Sequence, residues 1–282
     1  MGKNTDIAWC HHTFNAWRGC TKVSPGCTNC YAEKLSHRNP ATLGVWGDDG
    51  ARAMAAESYW RQLPRWNAAA EKAGERHRVF CMSLGDVLED RPELHAPRSR
   101  LMSMVPECPA LDFLFLTKRP ENRLMHGWGD AWPVNAWLGI SAEDQARLDE
   151  RATHAVKVNV FRRFISAEPL LGPLQFGDAM SSWLSFFDLV IVGGESGGSS
   201  RPFQVQWARD IIGECAAAGV ACFVKQLGSW PSTALSAALL TDPNHRLRLR
   251  DRKGGDWDEW TGPLADLRVR QMPGQPMSGG LS

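Results

Sequence analysis

Short apolar, β-branched or aromatic runs punctuate the chain at RVFCMS (78–83), DFLFLT (112–117), AWLGIS (136–141), RRFISA (162–167), DLVIVGG (188–194) and VACFVKQ (220–226). Charged, helix-compatible stretches such as SAEDQARLDERATHA and QVQWARDIIGECAAAG lie between them. Strand starts recur at intervals of roughly 25 to 35 residues, the size of a βαβ unit. With a further strand near residues 12–18, the pattern predicts about seven βα units, in an open doubly wound sheet or a barrel. Polar residues at the carboxyl ends of the runs favour the barrel. These are Ser83 and Asp86, Thr117 and Lys118, Ser141 and Glu143, Ser166 and Glu168, then Glu195, and finally Lys225 and Gln226. On parallel strands such groups would converge on one rim, where barrel enzymes build their sites. The plainer alternative for each is a cap on the following helix.

Two segments interrupt the rhythm. A helical insertion is predicted at about 39–77, where SYWRQLPRWNAAAEKAGERH puts apolar and aromatic residues on one face and Gly74 at the stop. In the last fifty residues, HRLRLRDRKGGDWDEW alternates Arg with Leu and predicts an edge strand followed by a Gly-Gly turn. Its five positive residues between Arg246 and Lys253 could touch a phosphate or simply keep a solvated edge from aggregating. The tail PGQPMSGGLS is expected to be mobile. The expected organisation is a (βα) barrel over 1–228, including the insertion, and a C-terminal extension over 229–282.

Composition narrows the function classes. At 43% hydrophobic and 22% charged, the chain reads as an ordinary globular protein, and a net charge of +1 gives no overall basic field to advertise nucleic acid. The N-terminus lacks the apolar run of a signal peptide, and no later run is long enough to span a membrane, so the expected location is the cytoplasm. Thiols stay reduced there, which makes the eight cysteines ligands or small buried hydrophobes rather than disulfides. Cys81, Cys108, Cys215 and Cys222 are scattered singly, whereas Cys10, Cys20, Cys27 and Cys30 crowd the first thirty residues. Most of the thirteen tryptophans are expected in the core, although Trp9 and Trp17 flank the cysteine cluster and could shield it.

The stretch GCTKVSPGCTNCYAE spaces its thiols as Cys-x6-Cys-x2-Cys, with Ser24, Pro25 and Gly26 as turn-formers in the longer gap. The two-residue gap aims Cys27 and Cys30 at one centre, and the loop brings Cys20 round to them. Three thiolates can hold a 4Fe–4S cluster with one iron open, and the same three can join Cys10, His11 or His12 in a closed zinc site. Further along, GGESGG at 193–198 follows an apolar run, and its glycine N–H groups (Gly193 and Gly194 first) could cradle an anion or merely form a tight turn.

A three-cysteine loop after the first strand of a (βα) barrel resembles the arrangement of the radical S-adenosylmethionine enzymes. More closely, the chain resembles a radical-SAM-like family of phage and bacterial genomes, a domain of unknown function with a GC-x6-C-x2-CYA motif. The segments carrying the resemblance are GCTKVSPGCTNCYAEKL, SYWRQLPRWNAAAEKAG, VFCMSLGDVLED, FLFLTKRPENRL, WLGISAEDQARLDER, RFISAEPLLGPL, LVIVGGESGGSSRPF and DRKGGDWDEW. The wider superfamily usually has three residues between its first two cysteines, where this chain has six, and an aromatic before the third, where this chain has Asn29.

The resemblance implies a partial or complete TIM-like barrel of the radical SAM type with a 4Fe–4S cluster on Cys20, Cys27 and Cys30. It implies S-adenosylmethionine on the fourth iron, its amino group near Ser83 and Asp86, and its ribose and carboxylate near Thr117, Lys118, Ser141 and Glu143. Gly193 and Gly194 would assist, and Glu168, Glu195 and Lys225, with Arg201, would grip substrate. It further implies an electron donor of flavodoxin or ferredoxin type and, if the chain is phage-encoded, the host cytoplasm. An amino-acid-decorated thymine in phage DNA is one candidate substrate, a peptide or small metabolite another. Two rival readings stand beside it. One is a zinc-stapled barrel hydrolase using Glu143, Glu168 and Glu195, and the other a zinc-containing nucleic-acid binder.

Overall fold

The computed structural model describes Thr5 and residues 7–126, 132–177, 181–234 and 236–274. The apolar runs become strands β1 (His12–Phe14), β2 (His77–Cys81), β3 (Leu111–Thr117), β4 (Ala136–Ser141), β5 (Arg162–Ala167), β6 (Leu189–Gly193) and β7 (Ala221–Gln226). They form one seven-stranded parallel sheet whose order follows the chain, curled as a half-barrel in a mixed α/β fold. β4 and β6 are buried at every position, so these strands are apolar throughout rather than alternating. No described helix is long and apolar enough to cross a membrane.

The chain divides into two compact units, Met1–Ile140 with Thr153–Arg163, and Ser141–Ala152 with Phe164–Ser282. In the first, β1 pairs with β2 (His12 opposite Val79), β2 with β3 (Phe80 opposite Leu114) and β3 with β4 (Leu116 opposite Gly139). Helix α1 (Tyr31–Ser36) follows the cysteine loop. The insertion contains a helical turn at Glu57–Trp60 and helix α2 (Gln62–Ala73), which buries Leu63, Trp66 and Ala70 and ends at Gly74 in the left-handed conformation. Helix α3 (His95–Glu107) buries Leu101, Met102 and Val105 together with Arg98.

In the second unit, β5 pairs with β6 (Ile165 opposite Val190) and β6 with β7 (Ile191 opposite Phe223). Helix α4 (Val205–Ala218) joins the last two strands, and residues 229–274 lie in this unit. The edge strand expected at HRLRLR does not form; a single bridge joins Arg246 to Ser232. Around that bridge the Leu247 N–H reaches the Pro231 carbonyl and the Thr233 N–H the His245 carbonyl, but pairing stops there, and the Arg250 N–H goes to the Glu259 side chain. The Gly-Gly turn does form, with Gly254 at φ 63° and its N–H on the Asp251 carbonyl. Residues 275–282 of the tail lie outside the described residues.

Candidate functional site

The loop carrying Cys20, Cys27 and Cys30 leaves the end of β1 and is fastened to the segment that leaves β2. The Gly19 N–H reaches the Leu84 carbonyl at 2.9 Å, and the Thr21 N–H reaches Glu89 Oε1 at 3.0 Å. Pro25–Cys27 forms one turn of 3₁₀ helix, and Cys30 immediately precedes α1. All three thiols are reduced and half-buried.

Each sulfur has a polar neighbour. Arg119 Nη1 lies 3.7 Å from Cys20 Sγ, and the Ser24 hydroxyl 3.8 Å from Cys27 Sγ. Cys30 Sγ receives the N–H groups of Ala32 and Glu33, and the Lys118 charge lies nearby. Burial first, then the Asp86 carboxylate, pushes the Cys20 thiol up to about 12, while Arg119 pulls the other way. Burial likewise raises Cys30, against the two backbone donors and Lys118. At Cys20 and Cys30 burial thus disfavours the thiolate, while the N–H and cationic groups beside the two sulfurs favour it.

Behind the loop stands a buried ionic network. Asp86 Oδ1 accepts from the Thr117 hydroxyl at 2.7 Å and the Leu88 N–H at 3.0 Å, and Oδ2 from the Lys118 N–H at 2.9 Å and Arg119 Nη1 at 3.0 Å. Glu89 is gripped by Arg52 through Nε at 3.0 Å and Nη2 at 2.6 Å. Arg52 also donates to the carbonyls of Val45, Gly47 and Gly50 and to the Thr21 hydroxyl. Asp86 and Thr117, expected to touch a cofactor, have both carboxylate oxygens and the hydroxyl committed here, and they hold Arg119, which in turn reaches the loop. Ser83 exchanges hydrogen bonds with Asn15, whose Oδ1 also accepts the Leu84 N–H at 2.7 Å, and the Tyr31 hydroxyl binds the Ser83 carbonyl at 2.7 Å. Between β2 and Ser83, Met82 has φ 64°, a left-handed conformation that is strained for a residue with a side chain.

Sequence reasoning overlooked Arg52, Glu89 and Arg119. Arg119 sits beside Lys118 in LTKRP, but nothing local in the sequence says that its guanidinium turns back to residues 20 and 21. Cys10, His11 and His12, weighed as a fourth ligand, adjoin the other end of the first two strands. The His11 N–H binds the Arg78 carbonyl there, at the start of β2. With His77 and Trp66 they line a cavity of about 560 Å³. Nε2 of His12 is 3.2 Å from Nδ1 of His77.

Among the described residues, no three His, Cys, Asp or Glu side chains surround a single ion position. A four-iron cluster makes no such demand, because each thiolate takes a different iron. The donor set fits that group: three thiols on one loop, backbone N–H groups at one sulfur and a guanidinium at another.

The remaining candidates lie in the second unit, and cations hold each carboxylate. Glu143, fully buried, receives Arg151 Nη1 at 2.7 Å, and the same nitrogen binds the Ser141 carbonyl at 2.8 Å. Glu195 takes Arg201 through Nε at 3.0 Å, Nη2 at 2.5 Å and the backbone N–H at 2.8 Å. Glu168 pairs with Lys225 Nζ, the most solvent-accessible of the three pairs on its carboxylate side. The Gly194 N–H is bonded to the Gln226 carbonyl at 3.0 Å, and the Gly193 carbonyl accepts from Leu170 at 2.9 Å. A side chain at Gly194 would meet the Leu227 carbonyl at 2.3 Å, so this glycine is required by close backbone approach.

The model of a family described as a protein of unknown function, DUF5131, matches residues 4–262. No curated protein and no solved structure matches the chain.

Proposed function

The chain belongs to that family of unknown function, and from its cysteine loop we propose that it is a radical S-adenosylmethionine enzyme holding a 4Fe–4S cluster on Cys20, Cys27 and Cys30. The observation that carries the reading is the set of polar groups beside these sulfurs: the Arg119 guanidinium donating at Cys20, two backbone N–H groups donating at Cys30, and the Ser24 hydroxyl in contact with Cys27. A cluster on three thiolates carries negative charge, and such donors stabilise it. When bound, the cluster supplies one electron that splits a carbon–sulfur bond of S-adenosylmethionine, giving methionine and a 5′-deoxyadenosyl radical that takes a hydrogen atom from substrate.

The protein's own residues bind and orient. Asp86, Glu89, Arg52 and Arg119 fix the loop. Ser83 offers a hydroxyl to the cofactor's amino group, and the Lys118 ammonium, near Cys30, suits its carboxylate. The placement of Cys10, His11 and His12 at the opposite end of β1 and β2 favours a three-thiol centre over a four-ligand zinc site. The electron donor in this reading is a flavodoxin or ferredoxin. The substrates considered are those the resemblance raised, an amino-acid-decorated thymine in phage DNA, or a peptide or small metabolite.

Purifying the full chain without oxygen tests this directly. We expect a brown protein with about four irons and matching sulfide per chain, which releases 5′-deoxyadenosine on addition of dithionite and S-adenosylmethionine. Cys27→Ala should lose iron and cleavage together, and Cys10→Ala should keep both. A colourless, zinc-bearing protein would sink the proposal. DNA carrying the decorated base should accelerate 5′-deoxyadenosine release; no acceleration counts against that substrate.

A further inference from the structure

We propose that Arg119 is the positioning residue of the cysteine loop: its guanidinium sets the backbone at residues 20 and 21, and stays hydrogen-bonded to the Cys20 sulfur, where it raises the potential of the cluster. The second half of this inference rests on the iron–sulfur reading; the first does not.

Arg119 is almost wholly buried, with 8% of its side chain exposed, and its two terminal nitrogens divide the work. Nη1 lies 3.0 Å from Asp86 Oδ2 and 3.7 Å from Cys20 Sγ. Nη2 donates to the Thr21 carbonyl at 2.7 Å and lies 3.9 Å from Glu89 Oε1. One planar group thereby joins a carboxylate, a sulfur and the carbonyl of the next residue. Its backbone is held as well, with the Arg119 N–H on the Thr117 hydroxyl at 2.9 Å.

Charge bookkeeping explains why a cation belongs there. Asp86, Glu89 and the neighbouring Asp90 face Arg52, Arg98 and Arg119, three charges of each sign, so this group of charges needs nothing from Cys20. Arg52 spends its donors on Glu89, Thr21 and three loop carbonyls. Arg119 keeps an N–H directed at the sulfur. An N–H donor on a cluster thiolate stabilises the reduced, more negative state and so raises the potential.

Arg98 provides the contrast. It is equally buried and in the same region, yet its guanidinium goes to the Val87 and Glu89 carbonyls and to no cysteine. A lysine at either position keeps the charge but cannot span two acceptors as the fork does.

The test compares Arg119→Lys with Arg98→Lys in the full chain, both confirmed folded by circular dichroism. Two readouts are taken: hydrogen exchange of the peptide covering 19–30 in metal-free protein, and the cluster's midpoint potential by electron paramagnetic resonance after reconstitution. Arg119→Lys should speed exchange of that peptide about tenfold, the loss of roughly one charge-assisted hydrogen bond, and shift the potential to more negative values. Arg98→Lys should do neither. Should Arg119→Lys not fold, Thr117→Val, which removes the hydroxyl under the Arg119 backbone without touching a cysteine, should move both readouts the same way. Either readout left at its wild-type value in a folded Arg119→Lys protein overturns the proposal, as does an equal response from Arg98→Lys. If wild-type protein takes up no iron, the cluster reading fails by itself and the exchange experiment alone decides whether Arg119 positions the loop.

Discussion

His11 accepts the Arg78 backbone N–H on Nδ1 at 2.8 Å and stacks on His77 with 4.9 Å between ring centres. Burial first, then the Arg78 and His77 charges, lowers its pKa from 6.5, against the pull of Glu75 and Asp112. A folded value below the unfolded one means that the unfolded chain takes up the proton first. The stability contributed by the neutral ring is therefore complete above the unfolded pKa and is lost as pH falls through the folded one. His11→Asn keeps an acceptor for the Arg78 N–H and has no proton to gain, so its urea midpoint should fall less than the wild type's between pH 7 and pH 5. Equal slopes would show that His11 does not drive the change. At this scale the sequence is a partial guide. Asp86 was legible as a polar residue after a strand, but its four donors come from residues two to thirty-three positions away, and no local pattern encodes them.

Elements were more legible than side-chain roles, for a physical reason. β4 and β6 are buried at every position, so their apolar runs have no polar interruption to blur their limits. HRLRLR misled because alternation shows that an extended segment can face two ways, not how far it pairs, and its pairing with Ser232 ends at the one bridge through Arg246. Glycines divide similarly. Gly74 ends α2 at φ 67° with open space where a side chain would go, whereas Gly194 has backbone 2.3 Å from that position. Gly74→Ala should cost about 1 kcal/mol, the conformational penalty alone. Gly194→Ala must move backbone and should cost at least about 3 kcal/mol. Urea denaturation of both variants measures the difference, and similar losses would mean that the second unit yields at Gly194 more easily than the geometry implies.

At the scale of the whole molecule, alternating apolar runs and helical stretches were enough to foresee a parallel α/β sheet, but not how its last strand is finished. β7 would be an open edge, with unpaired N–H and C=O groups offered to any other chain. The segment after the family match closes it: the Val224 N–H binds the Val269 carbonyl at 2.8 Å, and the Gln271 N–H binds the Cys222 carbonyl at 2.9 Å. The Gln271 side chain takes the Cys222 N–H at 3.1 Å, and Arg270 lies over the rings of Trp257 and Phe223. Leu264, Leu267 and Met272 are buried with it. Hardly any of this shows in the sequence, because a closure of three residues has no period and its partners lie about fifty positions earlier. Three hydrogen bonds at about 1 kcal/mol each and three buried apolar side chains at roughly 1.5–3 kcal/mol each approach the total stability of an ordinary domain. A chain ending at residue 262 should therefore aggregate or associate in a concentration-dependent way, as light scattering after size exclusion would show. Gln271→Ala, which removes only the side-chain bond to Cys222, should remain monomeric and lose about 1 kcal/mol. A shortened chain that stays monomeric with an unchanged melting temperature would mean that the edge of β7 is protected by something other than residues 263–272.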